Sequence, residues 1–185
     1  MDTLICNTLM QVLPKWEGVA DCLYIDTASN VTTGVGHLLS SLAAASQIPW
    51  VPITALASDW NRIITMPPGL SLGVYRNATT VRLPVGWAVT DAVTRLETEY
   101  LPAARRAFGV SDDKYAHYDD LPLPAQVVIL DMAYNLGEAG LAKYRHFISA
   151  CHSGDWGTAA ANSTRHGIQT ARNDWARATL KGIVS

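Results

Sequence analysis

The sequence predicts an α+β protein with a small N-terminal lobe carrying a β-hairpin, a long connecting helix and a mainly helical C-terminal lobe. Three observations lead there. Residues 23–35 hold two runs of strand formers, Leu-Tyr-Ile and Val-Thr-Thr-Gly-Val, separated by the polar turn cluster Asp-Thr-Ala-Ser-Asn. Residues 90–109 place Val93, Leu96, Tyr100, Leu101, Ala104 and Phe108 on one helical stripe. Residues 124–136, PAQVVILDMAYNL, are apolar on nearly every side, as befits the central helix of a bundle.

Taken in order, residues 4–15 read as a short helix with Leu4, Ile5, Leu9, Val12 and Leu13 inward, holding Glu17 at or just past its end. The hairpin follows. Asp26 leaves the first strand at the turn and Thr32 returns on the second, so two carboxylates and a hydroxyl converge. Residues 40–89 are rich in Pro, Gly, Ser and Ala, with Trp50, Trp60 and Trp87 interspersed. A helix is expected near residues 53–65 behind Thr54 as cap, and loops or short extended pieces around residues 75–83. The tryptophans there read either as core of an elaborated lobe or as a surface for sugar stacking or a protein partner.

Thr90 reads as the N-cap of the connecting helix, Pro102 as its bend and Gly109 as its stop. Residues 111–124 form a loop. The apolar helix ends at Gly137, and further helices run to about Cys151, from Asp155 to Asn162, and from Asp174 to about Leu180. The expected organisation is residues 1–89 as N-terminal lobe with an enlarged insertion at about 40–89, residues 90–109 as inter-lobe helix, and residues 110–185 as helical lobe.

With 185 residues and 49% hydrophobic content the chain can bury a sizeable core. A net charge of −2 argues against a general polyanion binder, which would carry a basic patch. Cys6, Cys22 and Cys151 are odd in number and lack metal-ligand spacing, so they read as small buried hydrophobes, and no metal or cofactor is expected. The N-terminus has an acidic residue at position 2 and no basic segment ahead of an apolar run, so no secretory signal is read, and no stretch approaches the roughly 20 apolar residues of a membrane span.

The densest chemistry lies in residues 16–37, WEGVADCLYIDTASNVTTGVGH. Glycoside hydrolysis needs one protonated carboxyl to protonate the leaving oxygen and one ionised carboxylate to attack or to activate water. Each residue alone has an ordinary reading: Glu17 as solvated or capping, Asp26 as a turn former, Thr32 as a strand residue. The incomplete glycine pattern GVGHLL is a poor match to a dinucleotide loop.

Together, Glu17-Gly18, Tyr24-x-Asp26-Thr27 and Thr32-x-Gly34-x-Gly36-His37-Leu38 resemble the active-site segment of the phage-type lysozymes, glycoside hydrolase family 24. The resemblance implies a lysozyme-like fold with a cleft between its lobes. It implies Glu17 as general acid, Asp26 and Thr32 as holders of the attacking water, His37 as a structural imidazole and Leu38 as a substrate contact. Further on, Tyr134-Asn135-Leu136-Gly137-Glu138-Ala139-Gly140 and the Trp156 to Asn162 spacing also resemble the family, implying that Tyr134 and Asn162 face the glycan. Arg172, with Asn173 beside it, is the nearest match to the family's arginine that pairs with the catalytic Glu. The resemblance covers residues 4–39 and 90–180 and fails over the insertion.

By that resemblance the chain is a muramidase cleaving the β-1,4 bond between N-acetylmuramic acid and N-acetylglucosamine, with inversion. It would serve as a phage endolysin or an exported antibacterial toxin, made in the cytoplasm and acting on the wall in the periplasm after holin release or export. Its partners would be peptidoglycan strands, an immunity or inhibitor protein and delivery machinery; nucleic acid and stable membrane insertion are not expected, and a monomer is. A lytic transglycosylase and a non-catalytic peptidoglycan-binding module are the alternatives.

Overall fold

The computed structural model describes residues 2–183. The fold is mixed α+β, with one small antiparallel sheet among many helices. The chain divides into two compact units, Leu13–Ala92 and Met1–Val12 with Val93–Ser185. The first twelve residues therefore group with the helical unit, which corrects the expected assignment of residues 1–89 to one lobe. Apolar contact explains this: helix α1 (Asp2–Met10) buries Ile5, Cys6 and Leu9, and Arg105 Nη2 lies 2.7 Å from Asp2 Oδ1 and 2.8 Å from Asp119 Oδ1.

The single helix expected over residues 4–15 is two helices. Pro14 has no N–H to offer Met10 and its ring crowds that carbonyl, so α1 cannot run on. It closes with the tightened bonds Gln11 N to Thr8 O and Val12 N to Leu9 O. The short α2 (Leu13–Glu17) restarts with Pro14 in its first turn. Gly18, at φ 72°, ends it, donating its N–H to Pro14 O at 3.0 Å. Glu17 is thereby the last residue of a helix.

In the Leu13–Ala92 unit the predicted hairpin is present as β1 (Ala20–Ile25) and β2 (Val31–Gly34), joined by a third strand β3 (His37–Leu38) that the sequence did not announce. The order is β1-β2-β3 and every pairing is antiparallel. One sheet face supplies Leu23, Ile25 and Val31 to a core that includes Leu39, Ile48, Trp50, Leu56, Ile63, Tyr75, Val81 and Leu83. Trp50 is 3% exposed and donates its indole N–H to Ala45 O, while Trp60 and Trp87 pack against the same core. Trp50 is thus a core residue, and Trp60 and Trp87 flank the core and stay partly exposed.

The insertion holds more helix than expected. After α3 (Leu42–Ala45), a 3₁₀ turn at Ile53–Ala55 leads into α4 (Leu56–Ile63), so Thr54 lies within that turn and Ala55 stands at the cap position. Of the loops or short extended pieces expected around residues 75–83, residues 79–83 are extended, but residues 75–78 belong to a helix, α5 (Leu72–Ala78), whose Tyr75 is fully buried. Its start after Pro67-Pro68-Gly69 carries no side-chain cap, so its stability comes from Tyr75 packing and not from local signals. Asp59, 1% exposed, accepts the backbone N–H groups of Thr80 (2.6 Å) and Val81 (2.8 Å), tying α4 to the extended piece where Arg82 bridges to Val51.

The long helix opens at Trp87, three residues before the expected Thr90 cap. Thr90 is interior and its hydroxyl bonds back to Gly86 O. It runs as α6 (Trp87–Arg95), a π-helical turn (Leu96–Tyr100) and α7 (Leu101–Phe108). The π turn has a local cause: Pro102 cannot donate to Thr98, and Leu101 N instead reaches Leu96 O.

In the helical unit α8 (Leu123–Leu141) is the central element, buried on all sides from Ala125 to Ala133, with α1, α7 and α11 (Thr170–Lys181) packed on it. Gly137, at φ 67° and ψ 175°, interrupts it where the sequence placed the stop. Helices α9 (Arg145–Ser153) and α10 (Trp156–Ala161) follow. Asp155 caps α10 by accepting Thr158 N at 2.9 Å. The last helix starts at Thr170 and not at Asp174, which puts Arg172 and Asn173 inside its first turn.

All three cysteines are free and buried, and burial pushes their thiols up, to about 12 for Cys6 and Cys151 and about 11 for Cys22. A thiol-specific chromogenic reagent at about pH 8 will therefore titrate none of them in the folded protein and all of them after denaturation. Replacing Asp59 by Ala leaves two buried N–H groups without an acceptor and will lower unfolding stability by roughly 2–4 kcal/mol, read from urea melts.

Candidate functional site

Most of the sequence-predicted site residues fall in the Leu13–Ala92 unit, and the sheet register explains how they meet. Tyr24 lies opposite Thr32, and Thr32 lies opposite Leu38. Directly opposed residues in antiparallel strands point to the same face, so Tyr24, Thr32 and Leu38 form a row across all three strands. Asp26, two residues beyond Tyr24, continues that face at the turn. Leu38 is 52% exposed and Thr32 is buried at 3%.

Asp26 is the most heavily hydrogen-bonded residue of the row. Its Oδ1 accepts Ala28 N at 2.9 Å and Asn30 N at 2.8 Å, and its Oδ2 accepts Asn30 Nδ2 at 3.2 Å. The Thr32 hydroxyl has one proton and two acceptors in reach, Asp26 Oδ2 at 3.5 Å and Asn30 O at 3.3 Å. This is the local turn chemistry expected of an Asp, and the same bonds fix the carboxylate beside a hydroxyl.

Glu17 faces a pocket of about 190 Å³ lined with Gly18, Val19, Ala20, Tyr24, Leu70 and Leu72. Two of those walls, Leu70 and Leu72, come from the insertion, where the sequence offered no site residue. Tyr24 lies within electrostatic range of both carboxylates. Burial, then Glu17, then Asp26 push its phenol up to about 12, so it stays a neutral O–H donor at physiological pH. Asp26 itself does not line this pocket.

His37 behaves as a packed imidazole. Its Nδ1 is 2.9 Å from Asp91 Oδ2, and its ring lies nearly parallel to Trp87, with 6.2 Å between centroids.

Arg172, Tyr134 and Asn162 belong to the helical unit. Arg172, 2% exposed, sends Nε and Nη2 to Asp131 Oδ1 at 3.0 and 2.7 Å. Arg165 Nη1 lies 2.8 Å from Asp131 Oδ2, and both side chains are fully buried. Burial holds the Arg165 guanidinium below its ordinary value, with the Asp131 carboxylate opposing that shift. Neither Asp131 nor Arg165 was singled out in the sequence. Asn173, the other residue considered for the arginine's column, bonds the backbone of Arg165 through both side-chain atoms, Oδ1 from its N–H and Nδ2 to its carbonyl. Tyr134 stacks at a tilt on Tyr100, 4.8 Å between centroids. Asn162 caps the end of α10 and opens onto a polar groove of about 450 Å³ with His146, Ser149 and Asp155.

Among the described residues no group of three or more His, Cys, Asp or Glu side chains is placed to hold a metal ion, and no helix is long and apolar enough to cross a membrane. No protein-family model matches the chain, and none of the curated proteins compared with it matches either.

Removing Asp131 would take a carboxylate away from two buried guanidinium groups. An Asp131→Ala protein will lose roughly 3–5 kcal/mol of stability, seen as a lower midpoint in chemical denaturation; a change within experimental error would mean that the cluster contributes no net stabilisation.

Proposed function

We propose that this protein is a peptidoglycan glycoside hydrolase of the muramidase type with a lysozyme-like fold. The observation that carries the reading is the arrangement in the Leu13–Ala92 unit. Glu17 ends a helix at a pocket shared with Tyr24, while Asp26 and Thr32 stand hydrogen-bonded on the sheet face that Tyr24 shares. Two carboxylates in different settings, both within electrostatic range of one phenol, are what acid-assisted acetal cleavage uses.

In this mechanism Glu17 protonates the glycosidic oxygen between N-acetylmuramic acid and N-acetylglucosamine. Asp26, whose orientation is set by Ala28 and Asn30, accepts a proton from a water that Thr32 helps to hold, and that water attacks the anomeric carbon from the opposite face. The outcome is inversion. No cofactor enters. Arg172 is the residue that the resemblance assigns to the family's arginine, and Asp131 fixes its guanidinium within the helical unit. Leu38, Tyr134 and Asn162 contact the glycan.

The retained Asp26–Thr32 pair favours hydrolysis over the internal cyclisation of a lytic transglycosylase, which dispenses with water. The reading extends to a role as phage endolysin or exported antibacterial toxin, with an immunity protein as partner in the second case.

The test is turbidity loss of outer-membrane-permeabilised Gram-negative cells by wild type and Glu17→Gln at equal folded concentration. Wild type lyses them, and the variant is slower by roughly 10²–10⁴-fold. Equal rates, or no lysis by either, would overturn the proposal.

A further inference from the structure

His152 makes two contacts that one neutral imidazole cannot satisfy. It lies near the end of α9, 5% exposed, with Nδ1 2.6 Å from Tyr115 O and Nε2 3.1 Å from Phe108 O. Both partners are backbone carbonyls, which accept hydrogen bonds and donate none. A neutral imidazole has one N–H and one lone pair, so in either tautomer a buried lone pair would face a carbonyl oxygen. Only the imidazolium donates to both.

The surroundings suit that cation. Phe108 is the last residue of α7, so its carbonyl is one of those that a helix leaves without an intrahelical partner, at the negative end of the helix dipole. The Phe108 ring lies against the imidazole, with 3.9 Å between centroids and 33° between planes, and a ring face attracts a cation. Asp113 and Arg145 line one groove of about 370 Å³ together with His152, and their charges offset each other. The other charges on the elements around it are engaged: Arg105 with Asp2 and Asp119, Arg106 with Glu138, Lys114 over the Tyr115 ring, and Asp155 with Thr158 N. Asp112 and His117 are exposed in the loop that follows α7. Cys151, the chain neighbour of His152, stays neutral because burial pushes its thiol up to about 12.

His152 also fastens that loop, residues 109–117, which leads to the 3₁₀ turn at Tyr118–Asp120. Tyr115 N donates to His152 O at 2.9 Å, so the two residues bond each other twice, and Ser111 N donates to Ala116 O at 3.1 Å within the loop. Val110, Ser111 and Asp113 of the loop line the groove together with Arg145, Ser149 and His152 of α9. Loss of one proton from His152 leaves a single donor for two carbonyls, so either the α7 end or the loop is released.

We propose that His152 is a pH-operated latch: as imidazolium it ties α7, the 109–117 loop and α9 together, and as a neutral ring it lets the loop, one side of the groove, loosen. The latch is closed on the acid side and opens as rising pH takes that proton. Nothing in this depends on the muramidase reading.

The test is a pH series on the full chain, from about pH 5 upward through the histidine range to the limit at which the chain stays folded. Nitrogen NMR of the His152 ring will show both nitrogens protonated at the acid end and one of them losing its proton as pH rises. Over the same interval the hydrogen-exchange protection of the Ser111 and Tyr115 amides, corrected for intrinsic exchange, will fall by roughly tenfold, the size of one hydrogen bond from a charged donor. Folded His152→Gln will show protection at those amides that no longer changes with pH. His117→Asn removes the loop's own histidine and keeps a side chain suited to its capping position, so the change will persist. The wild-type measurements need no variant to fold. An unprotonated ring nitrogen at the acid end, two protonated nitrogens at every pH at which the chain is folded, or protection unchanged when the proton leaves would each overturn the proposal. So would a pH dependence that survives in His152→Gln or vanishes in His117→Asn.

Discussion

The carboxylate of Asp26 is the constraint on which the sheet-bearing unit depends. By accepting Ala28 N, Asn30 N and Asn30 Nδ2 it closes the turn between β1 and β2, and a hairpin turn sets strand register. That register puts Tyr24 opposite Thr32 and Thr32 opposite Leu38. A slip of one residue would break that row and turn Leu23, Ile25 and Val31 away from the core they supply. The turn-forming and functional readings of Asp26 therefore coincide in one set of hydrogen bonds. A carboxylate so held can neither rotate freely nor leave Thr32, which suits a group that must hold a water in one place.

The second constraint is the placement of Glu17 at a helix end. Pro14 forbids α1 to continue and Gly18 forbids α2 to go further, so Glu17 sits where the backbone turns toward β1. The buried Asp131 plays a comparable part in the helical unit, holding Arg165 and Arg172 in one charged cluster. Such a cluster is weak evidence for net stabilisation, since desolvating three charged groups opposes their attraction. Its stronger consequence is geometric: Arg172 has little orientational freedom.

The parts of this structure legible in the sequence are those with strong local signals. The hairpin was readable from two runs of strand formers around an Asp-to-Asn turn, the α8 stop from Gly137, and the α10 helix from the stretch that begins at Asp155. The row Tyr24–Thr32–Leu38 was only half legible, because β3 is two residues long and carries no periodicity of its own. Elements held by tertiary contact were missed. Helix α5 follows Pro67-Pro68-Gly69 and contains Gly73, so propensity argued for loop, and it is Tyr75 buried in the core that stabilises it. The split at Pro14 was readable, and the apolar spacing across it masked the missing N–H. Asp131 and Arg165 gave no signal, since an isolated Asp in an apolar helix reveals nothing of partners that lie dozens of residues away. The pocket walls Leu70 and Leu72 look in sequence like any exposed leucines.

The central claim is that Glu17 and the Asp26–Thr32 pair hydrolyse the glycan with an external water. The most direct measurement is mass spectrometry of muropeptides released from purified sacculi in oxygen-18 water. The account predicts reducing N-acetylmuramic acid ends carrying one oxygen-18 atom. Release of 1,6-anhydro ends without label would contradict it in favour of cyclisation, and intact sacculi would contradict any glycosidase reading.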